Sequence, residues 1–328
     1  MIVSKTPLRA SFFGGGTDFH NYFRNSKYGY GSVISTGINM YVYIIVNKRF
    51  DNKIRLVYSG NELVDSVDEI KHNIIREALK ITGITSGIEI LYLADLPMTN
   101  LGVGLASSSA LAVGVLNALH AYKGELVSKE ILAKEAIDIE INRLHQQIGI
   151  QDQYAVAYGG FNRYIFKNDD TVIIKPIELK TTAKKKFLNN LMLFYTGIPR
   201  DSTKIFEEQK ETTKNHSEIL DELVEVTNQV MDYLKAEDFD ELGRILDKTW
   251  QIKKQFASGV SNQTIDEMYK LAMDAGALGG KILGAGGGGF LLLYVPKRKQ
   301  ENVQNALKDY SQVAIDFDKE GSKIVYKD

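Results

Sequence analysis

Apolar residues in the first third of the chain come in short runs rich in β-branched and aromatic side chains, at 41–46, 54–58 and 88–93, each bounded by turn residues. Such runs predict strands, and with them a strand-rich N-terminal lobe. After Asp95-Leu96-Pro97 and a Gly/Ser cluster, residues 110–121 are apolar on every side, which predicts a helix buried in a core. A second helix is predicted from Ser128, a good N-cap, to Gln147. Asp169-Asp170 marks a hairpin. Lys184-Lys185-Lys186, with Asn189-Asn190 behind it, reads as a solvated linker ahead of a strand at 191–195. The expected domain boundary falls there, dividing the chain into 1–185 and 186–328. The pattern then turns helical, at 203–235, 239–256 and 264–275, the last closed by Gly276. Strands return at 290–295, 313–317 and 323–326.

Hydrophobic residues make up 44% of the 328 and charged ones 25%, a balance that supplies a sizeable core and excludes disorder. Lys and Arg number 40 against 41 Asp and Glu, so no global field draws nucleic acid or an anionic membrane, and neither is expected as a partner. Any phosphate site must be local. The absence of cysteine removes a disulfide framework, a thiolate nucleophile and a cysteine-bound metal together, and fits a reducing cytoplasm. No apolar run approaches the roughly 18 residues that span a bilayer.

Three glycine-bearing segments carry candidate chemistry. In Gly102-Val103-Gly104-Leu105-Ala106-Ser107-Ser108-Ser109, glycines allow close backbone approach to a ligand, and the helix that follows offers amide N–H groups and a positive dipole end, an arrangement suited to phosphate. One of the serine hydroxyls can reach Mg²⁺. A plain helix cap after a flexible loop explains the same residues. It is not a Walker loop, because no Gly-Lys-Ser or Gly-Lys-Thr follows. In the second segment, from Gly284 through Gly286 and Gly287 to Gly289, five glycines in six positions imply close approach to a ligand or to another loop, with Lys281 near enough to neutralise phosphate. The third holds Arg9, Gly15, Gly16, Thr17 and Asp18 after a short strand. Thr17 and Asp18 suit sugar hydroxyls, and Arg9 suits a phosphate or a carboxylate. Its competitor is a glycine turn with a surface salt bridge.

In this order and separation the three segments resemble the motifs of the GHMP kinases, over nearly the whole chain. The stretch from Pro7 to Asp18 is most similar to that of bacterial heptose kinases, whereas galactokinases carry a Glu-His pair where Gly15 and Gly16 stand. Gln151-Asp152-Gln153-Tyr154, Gly159-Gly160-Phe161, the segment from Tyr195 to Arg200, and Trp250 with Lys253-Lys254 are similar to the same subgroup. The resemblance implies an α+β fold of two lobes, the first like domain 2 of ribosomal protein S5 and the second ferredoxin-like, with the active site in the cleft between them. It implies ATP over the loop from Gly104 to Ser109, Mg²⁺ on Ser108 and Glu140, and Asp152 facing the acceptor hydroxyl from the loop after the Glu140 helix. For Glu140 an ion pair with Arg143 competes with that role, and for Asp152 a buried hydrogen-bonded carboxylate does. Ala106 stands where the family loop has glycine; if the position needs φ > 0, alanine costs roughly 1 to 2 kcal/mol.

The implied activity is transfer of the γ-phosphoryl group of ATP to the anomeric hydroxyl of D-glycero-D-manno-heptose 7-phosphate, with Arg9, Asp18, Arg200 and Lys254 as acceptor contacts. A kinase for an unphosphorylated sugar such as fucose or galactose, and a catalytically silent ATP and sugar sensor, are the alternatives. The oligomeric state is open, a homodimer included.

Overall fold

The computed structural model describes residues 1–96, 104–198, 205 and 217–328. Gly102, Arg200 and the start of the helix expected from Thr203 lie outside the described residues.

The chain begins with β1 (Ile2–Phe13), the one-turn helix α1 (His20–Phe23) and the long β2 (Tyr30–Lys48), then β3 (Ile54–Val57), β4 (Asn61–Val64), α2 (Asn73–Thr82) and β5 (Ile88–Ala94). These strands form one sheet in the order β1-β2-β5-β3-β4, antiparallel except for β3 against β5. Helix α3 (Ser107–Tyr122) crosses that sheet, and residues 109–116 are all buried, which is why its sequence is apolar on every side. Ser128 caps α4 (Lys129–Ile137) by accepting the Ile131 N–H. The helix predicted to reach Gln147 instead passes at Asp138–Arg143 into a π turn, with Leu144 N–H on the Ile139 carbonyl. Then come α5 (Gln151–Tyr158) and the hairpin β6 (Phe161–Lys167) and β7 (Val172–Pro176), whose turn has Asp170 at φ 64°. Strand β6 pairs with the front half of β2 and β5 with its back half, so β2 organises the whole sheet.

The lysine-rich stretch is not a linker. It lies in α6 (Thr181–Asn189), whose Ala183 and Phe187 are buried, Lys184 half-buried over the Phe317 ring, and Lys185 and Lys186 exposed. The Phe187 ring lies 5.5 to 5.9 Å from the rings of Phe12, Phe161 and Phe239, so an aromatic core joins the two halves of the chain where polar composition suggested a break.

The second half contains β8 (Leu191–Tyr195), α7 (Ser217–Ala236), α8 (Phe239–Lys253), α9 (Gln263–Asp274), β9 (Gly279–Ile282), β10 (Phe290–Tyr294), α10 (Gln300–Ala306) and β11 (Ser311–Val313). Its antiparallel sheet has the order β11-β8-β10-β9. The last strands leave this lobe: β12 (Phe317–Asp318) pairs with β2, and β13 (Lys323–Lys327) pairs with β1 and closes the edge of the first sheet. Unpaired edge groups on β1 are thereby satisfied. Among the described residues no helix is long and apolar enough to cross a membrane.

If Phe187 is a core residue, Phe187→Ala should destabilise the protein by about 3 to 5 kcal/mol in chemical denaturation. A loss below about 1 kcal/mol would restore the linker reading.

Candidate active site

The cleft between the two sheets is built first from the end of β1. Arg9 and Ser11 line it from alternate strand positions, followed by Gly15, Gly16 and Asp18 from the turn. That turn is held tightly. Gly14 has φ +80°, and a Cβ there would lie 1.9 Å from the Ser32 carbonyl oxygen. Thr17, expected to reach a sugar, is instead fully buried: its hydroxyl lies 2.8 and 2.9 Å from the Gly14 and Ser32 carbonyls and accepts the Ser32 N–H. It braces the turn against β2 and has no atom left for a ligand. Asp18 does line the cleft. Its carboxylate accepts the Gly16 N–H at 3.0 Å, the Gln151 N–H at 3.2 Å and the Gln151 side-chain amide at 3.0 Å. Burial pushes its pKa up, and the charge of Asp152 adds to this.

Asp152 stands in the first turn of α5 rather than in a loop, where the helix N-terminus favours a carboxylate. Arg9 grips it with a two-pronged pair, Nε and Nη2 each 2.8 Å from a carboxylate oxygen. The guanidinium is almost wholly buried, but the Asp152 side chain keeps 22% of its surface open, which leaves the acid facing the cleft. The third arm of Arg9, Nη1, donates to the Gly104 carbonyl at 2.9 Å, and its main-chain N–H reaches Leu105. One residue thus ties the acid to the Gly/Ser loop.

In that loop Ala106 is left-handed, φ 61° and ψ 38°, and caps α3 without any side-chain hydrogen bond. The strain anticipated for alanine is therefore present. Ser107, Ser108 and Ser109 form the first turn of α3. Ser108 and Ser109 donate to the two oxygens of Glu140, each at 2.7 Å, and Gln153 donates to Glu140 at 2.6 Å. Arg143 pairs with Asp138 and Glu77, so the competing ion pair with Glu140 is not formed. Glu140 is fully buried and has no ion pair among the described residues. Burial pushes its pKa up to about 7, against the pull of the three hydrogen bonds. The π turn rotates it onto the serines, a distortion that apolar periodicity does not reveal.

The second lobe adds Leu220, Lys253, Phe256, Lys281 and Gly284 to the cleft. Lys254, expected to touch the acceptor, points elsewhere: its ammonium lies 5.9 Å from the Trp250 ring and 4.0 Å from Asp266. The helical phase explains the exchange, because Leu242, Leu246, Thr249 and Lys253 share the inward face of α8. Gly286 and Gly287 are not among the residues lining this cleft. A Cβ on Gly286 would lie 2.6 Å from the Val260 carbonyl oxygen and one on Gly287 2.6 Å from Ile205, so close packing of this loop against Val260 and Ile205 requires glycine at both positions. Two residues passed over in the sequence matter here: Ser11, which donates to the Gln151 side chain at 2.8 Å, and Gly149, where a Cβ would lie 2.0 Å from the Asp18 carboxylate. Only the glycine at 149 hinted at such a close approach.

A cleft whose floor joins a Gly/Ser helix start to a carboxylate gripped by arginine suits transfer to an alcohol beside a bound phosphate. Sequence families agree: residues 69–160 match the GHMP kinases N terminal domain and residues 230–312 the GHMP kinases C terminal. The chain belongs to the GHMP kinases, phosphotransferases with hydroxyl acceptors, and among them it is a sugar kinase. It is 32% identical to the D-glycero-alpha-D-manno-heptose 7-phosphate kinase of Campylobacter jejuni over 98% of both chains. It is 28% identical to the galactokinase of Pyrococcus furiosus, covering 94% of this chain and 93% of that one. A D-glycero-D-manno-heptose 1-phosphate kinase structure from Bacteroides thetaiotaomicron superposes over 100% of both chains, with a TM-score of 0.81 at 24% identity, and shows the same fold.

Two measurements check these electrostatic and steric readings. Lys281 is 5% exposed, and burial, helped by the Arg9 charge, lowers its pKa from 10.5 to about 7. Below pH 7 the folded protein carries the full cost of the buried charge; from pH 7 to 10.5 the unfolded chain binds the proton and the folded one does not, so stability rises with pH. The gap between 10.5 and about 7, at about 1.4 kcal/mol per decade, amounts to roughly 5 kcal/mol. Denaturation midpoints should climb across that window, and Lys281→Met should flatten the climb. Ala106→Gly should stabilise by about 0.5 to 1 kcal/mol, relief of left-handed strain being partly offset by a more flexible unfolded chain; a loss of stability in thermal melts would contradict the strain.

Proposed function

We propose that the protein transfers the γ-phosphoryl group of ATP to the anomeric hydroxyl of D-glycero-D-manno-heptose 7-phosphate. The observation that carries this reading is the reach of Arg9, which binds Asp152 with two arms and the loop before the serine-headed helix with a third. Acid and phosphate loop are thereby held one side chain apart, as in-line transfer requires. The Campylobacter relative, named for a heptose 7-phosphate, supports the choice of acceptor. So does Gly15, where a Cβ would meet nothing nearer than 3.8 Å: packing does not demand a glycine there, and the space is free for a large sugar.

In this mechanism the amides at the start of α3 hold the nucleotide phosphates, and Asp18, fixed by Gly16 and Gln151, accepts from a sugar hydroxyl. Asp152 orients the anomeric hydroxyl and takes its proton as the sugar oxygen bonds to the γ-phosphorus. The bond from that phosphorus to the bridging oxygen breaks, and ADP leaves. Ser108 and Glu140 fit Mg²⁺: both offer oxygen, and a buried carboxylate without a cationic side chain is short of positive charge. When bound, the ion neutralises charge on the terminal phosphates.

An acceptor panel with ATP and Mg²⁺ tests the reading. ADP release should be fastest with the heptose 7-phosphate, and NMR should find the new phosphate on the anomeric carbon. Turnover confined to unphosphorylated sugars such as fucose or galactose would replace it, and binding without ADP release would favour a sensor. Asp152→Asn should lower kcat by about 10² to 10⁴ with little change in KM; full turnover in that variant would remove Asp152 as the base.

A further inference from the structure

Lys281 occupies an unusual electrostatic position. It sits in β9, where every residue is buried, and its ammonium crosses to the first lobe to donate to the Phe12 carbonyl at 3.1 Å. An ammonium has three N–H donors, and a charged one taken from water needs an anion. Among the described residues no carboxylate forms an ion pair with it; its hydrogen bond goes to the Phe12 carbonyl and Asp18 acts on it only across space. The acids of the cleft are engaged elsewhere, Asp152 by Arg9 and Asp18 by the Gly16 and Gln151 N–H groups. The charge of Arg9 opposes a second cation there, while Asp18 favours it. On the same wall, from α8, Lys253 donates to the carbonyls of Ile282 and Gly284. A methionine would fill the Lys281 site without the desolvation cost of an amine and would give up only the hydrogen bond to the Phe12 carbonyl, so an ammonium there fits an anion better than it fits the fold.

We infer that Lys281 is the anion-recognition group of the cleft, binding a phosphate dianion with Lys253 on the same wall and taking up a proton as that phosphate enters. This rests on the kinase reading, which offers two sources for the dianion: the phosphate already on the acceptor, or the terminal phosphate of the nucleotide. Burial and Arg9 hold the pKa near 7 in the unliganded cleft, and an arriving dianion reverses that balance by favouring the charged form. Ligand entry, proton uptake and charge neutralisation become one event.

Calorimetric titration at pH 7.5 in two buffers of different ionisation enthalpy counts the protons. The probes are heptose 7-phosphate, the same heptose without phosphate, an Mg²⁺-bound non-hydrolysable ATP analogue, MgADP and inorganic phosphate. Wild-type protein should take up roughly three-quarters of a proton with the phosphate-bearing ligand that contacts Lys281 and none with the neutral heptose. Uptake with heptose 7-phosphate assigns the subsite to the acceptor; uptake with the ATP analogue but not with MgADP assigns it to the terminal phosphate of the donor. Lys281→Met should abolish uptake and weaken that ligand by about 30-fold or more, leaving neutral heptose within about twofold. Lys281→Arg, which cannot lose its proton, should bind without uptake. No uptake with any phosphate-bearing probe, or uptake unchanged in Lys281→Met, overturns the inference. Because inorganic phosphate requires no turnover, a protein that phosphorylates nothing in the acceptor panel yet shows uptake would fail as a kinase and still retain the subsite.

Discussion

Arg9 is a cation that the protein has all but removed from water, and such a charge is tolerated only when its donors are satisfied. Its three arms find Asp152 and Gly104, and its backbone N–H finds Leu105. Because the guanidinium is planar and rigid, these partners cannot drift independently. The strand supplying Arg9, the helix supplying Asp152 and the loop leading into α3 are consequently one unit. Removing any member would strand a buried charge, so geometry at the reacting centre is coupled to folding of the first lobe.

The rest of the cleft follows from how each acid is answered. Glu140 is satisfied by neutral donors, two serines and an amide, which keeps it hydrogen-bonded while leaving its charge uncompensated. Asp18 is met by peptide N–H groups and the Gln151 side chain, and Asp152 alone is matched by a full positive charge. Three carboxylates, Asp18 and Asp152 lining the cleft and Glu140 buried beside them, therefore have three different appetites for a cation or a proton, set by their neighbours rather than by their own chemistry. The proposed roles in holding metal, sugar hydroxyls and a transferable proton would draw on that differentiation.

Much of this was legible in the sequence where local rules decide. The apolar sequence of α3 and the Ser128 cap carried through because each depends on neighbours in the chain. Failures arose where tertiary contacts overruled local composition. Lys184-Lys185-Lys186 looked like linker because nothing in the triplet announces that Phe187, one residue on, enters an aromatic core. Thr17 looked like a ligand because a hydroxyl after glycines often is one, and only the register with Ser32 shows it to be enclosed. Lys253 could have been preferred over Lys254 from the helical phase of α8. The π turn that aims Glu140 has no counterpart in the pattern of polar and apolar positions.

The pairing of β13 with β1 constrains the order of folding. A strand that carries Arg9 near the beginning of the chain acquires its outer neighbour only from residues 323–327, so that edge joins segments separated by almost the entire sequence. Contacts of such long separation form late and slowly, since loop closure must be met before the hydrogen bonds repay it. On a ribosome the β1 edge stays bare until residues 323–327 are made, and a chain cut short of them would expose that edge to any passing strand.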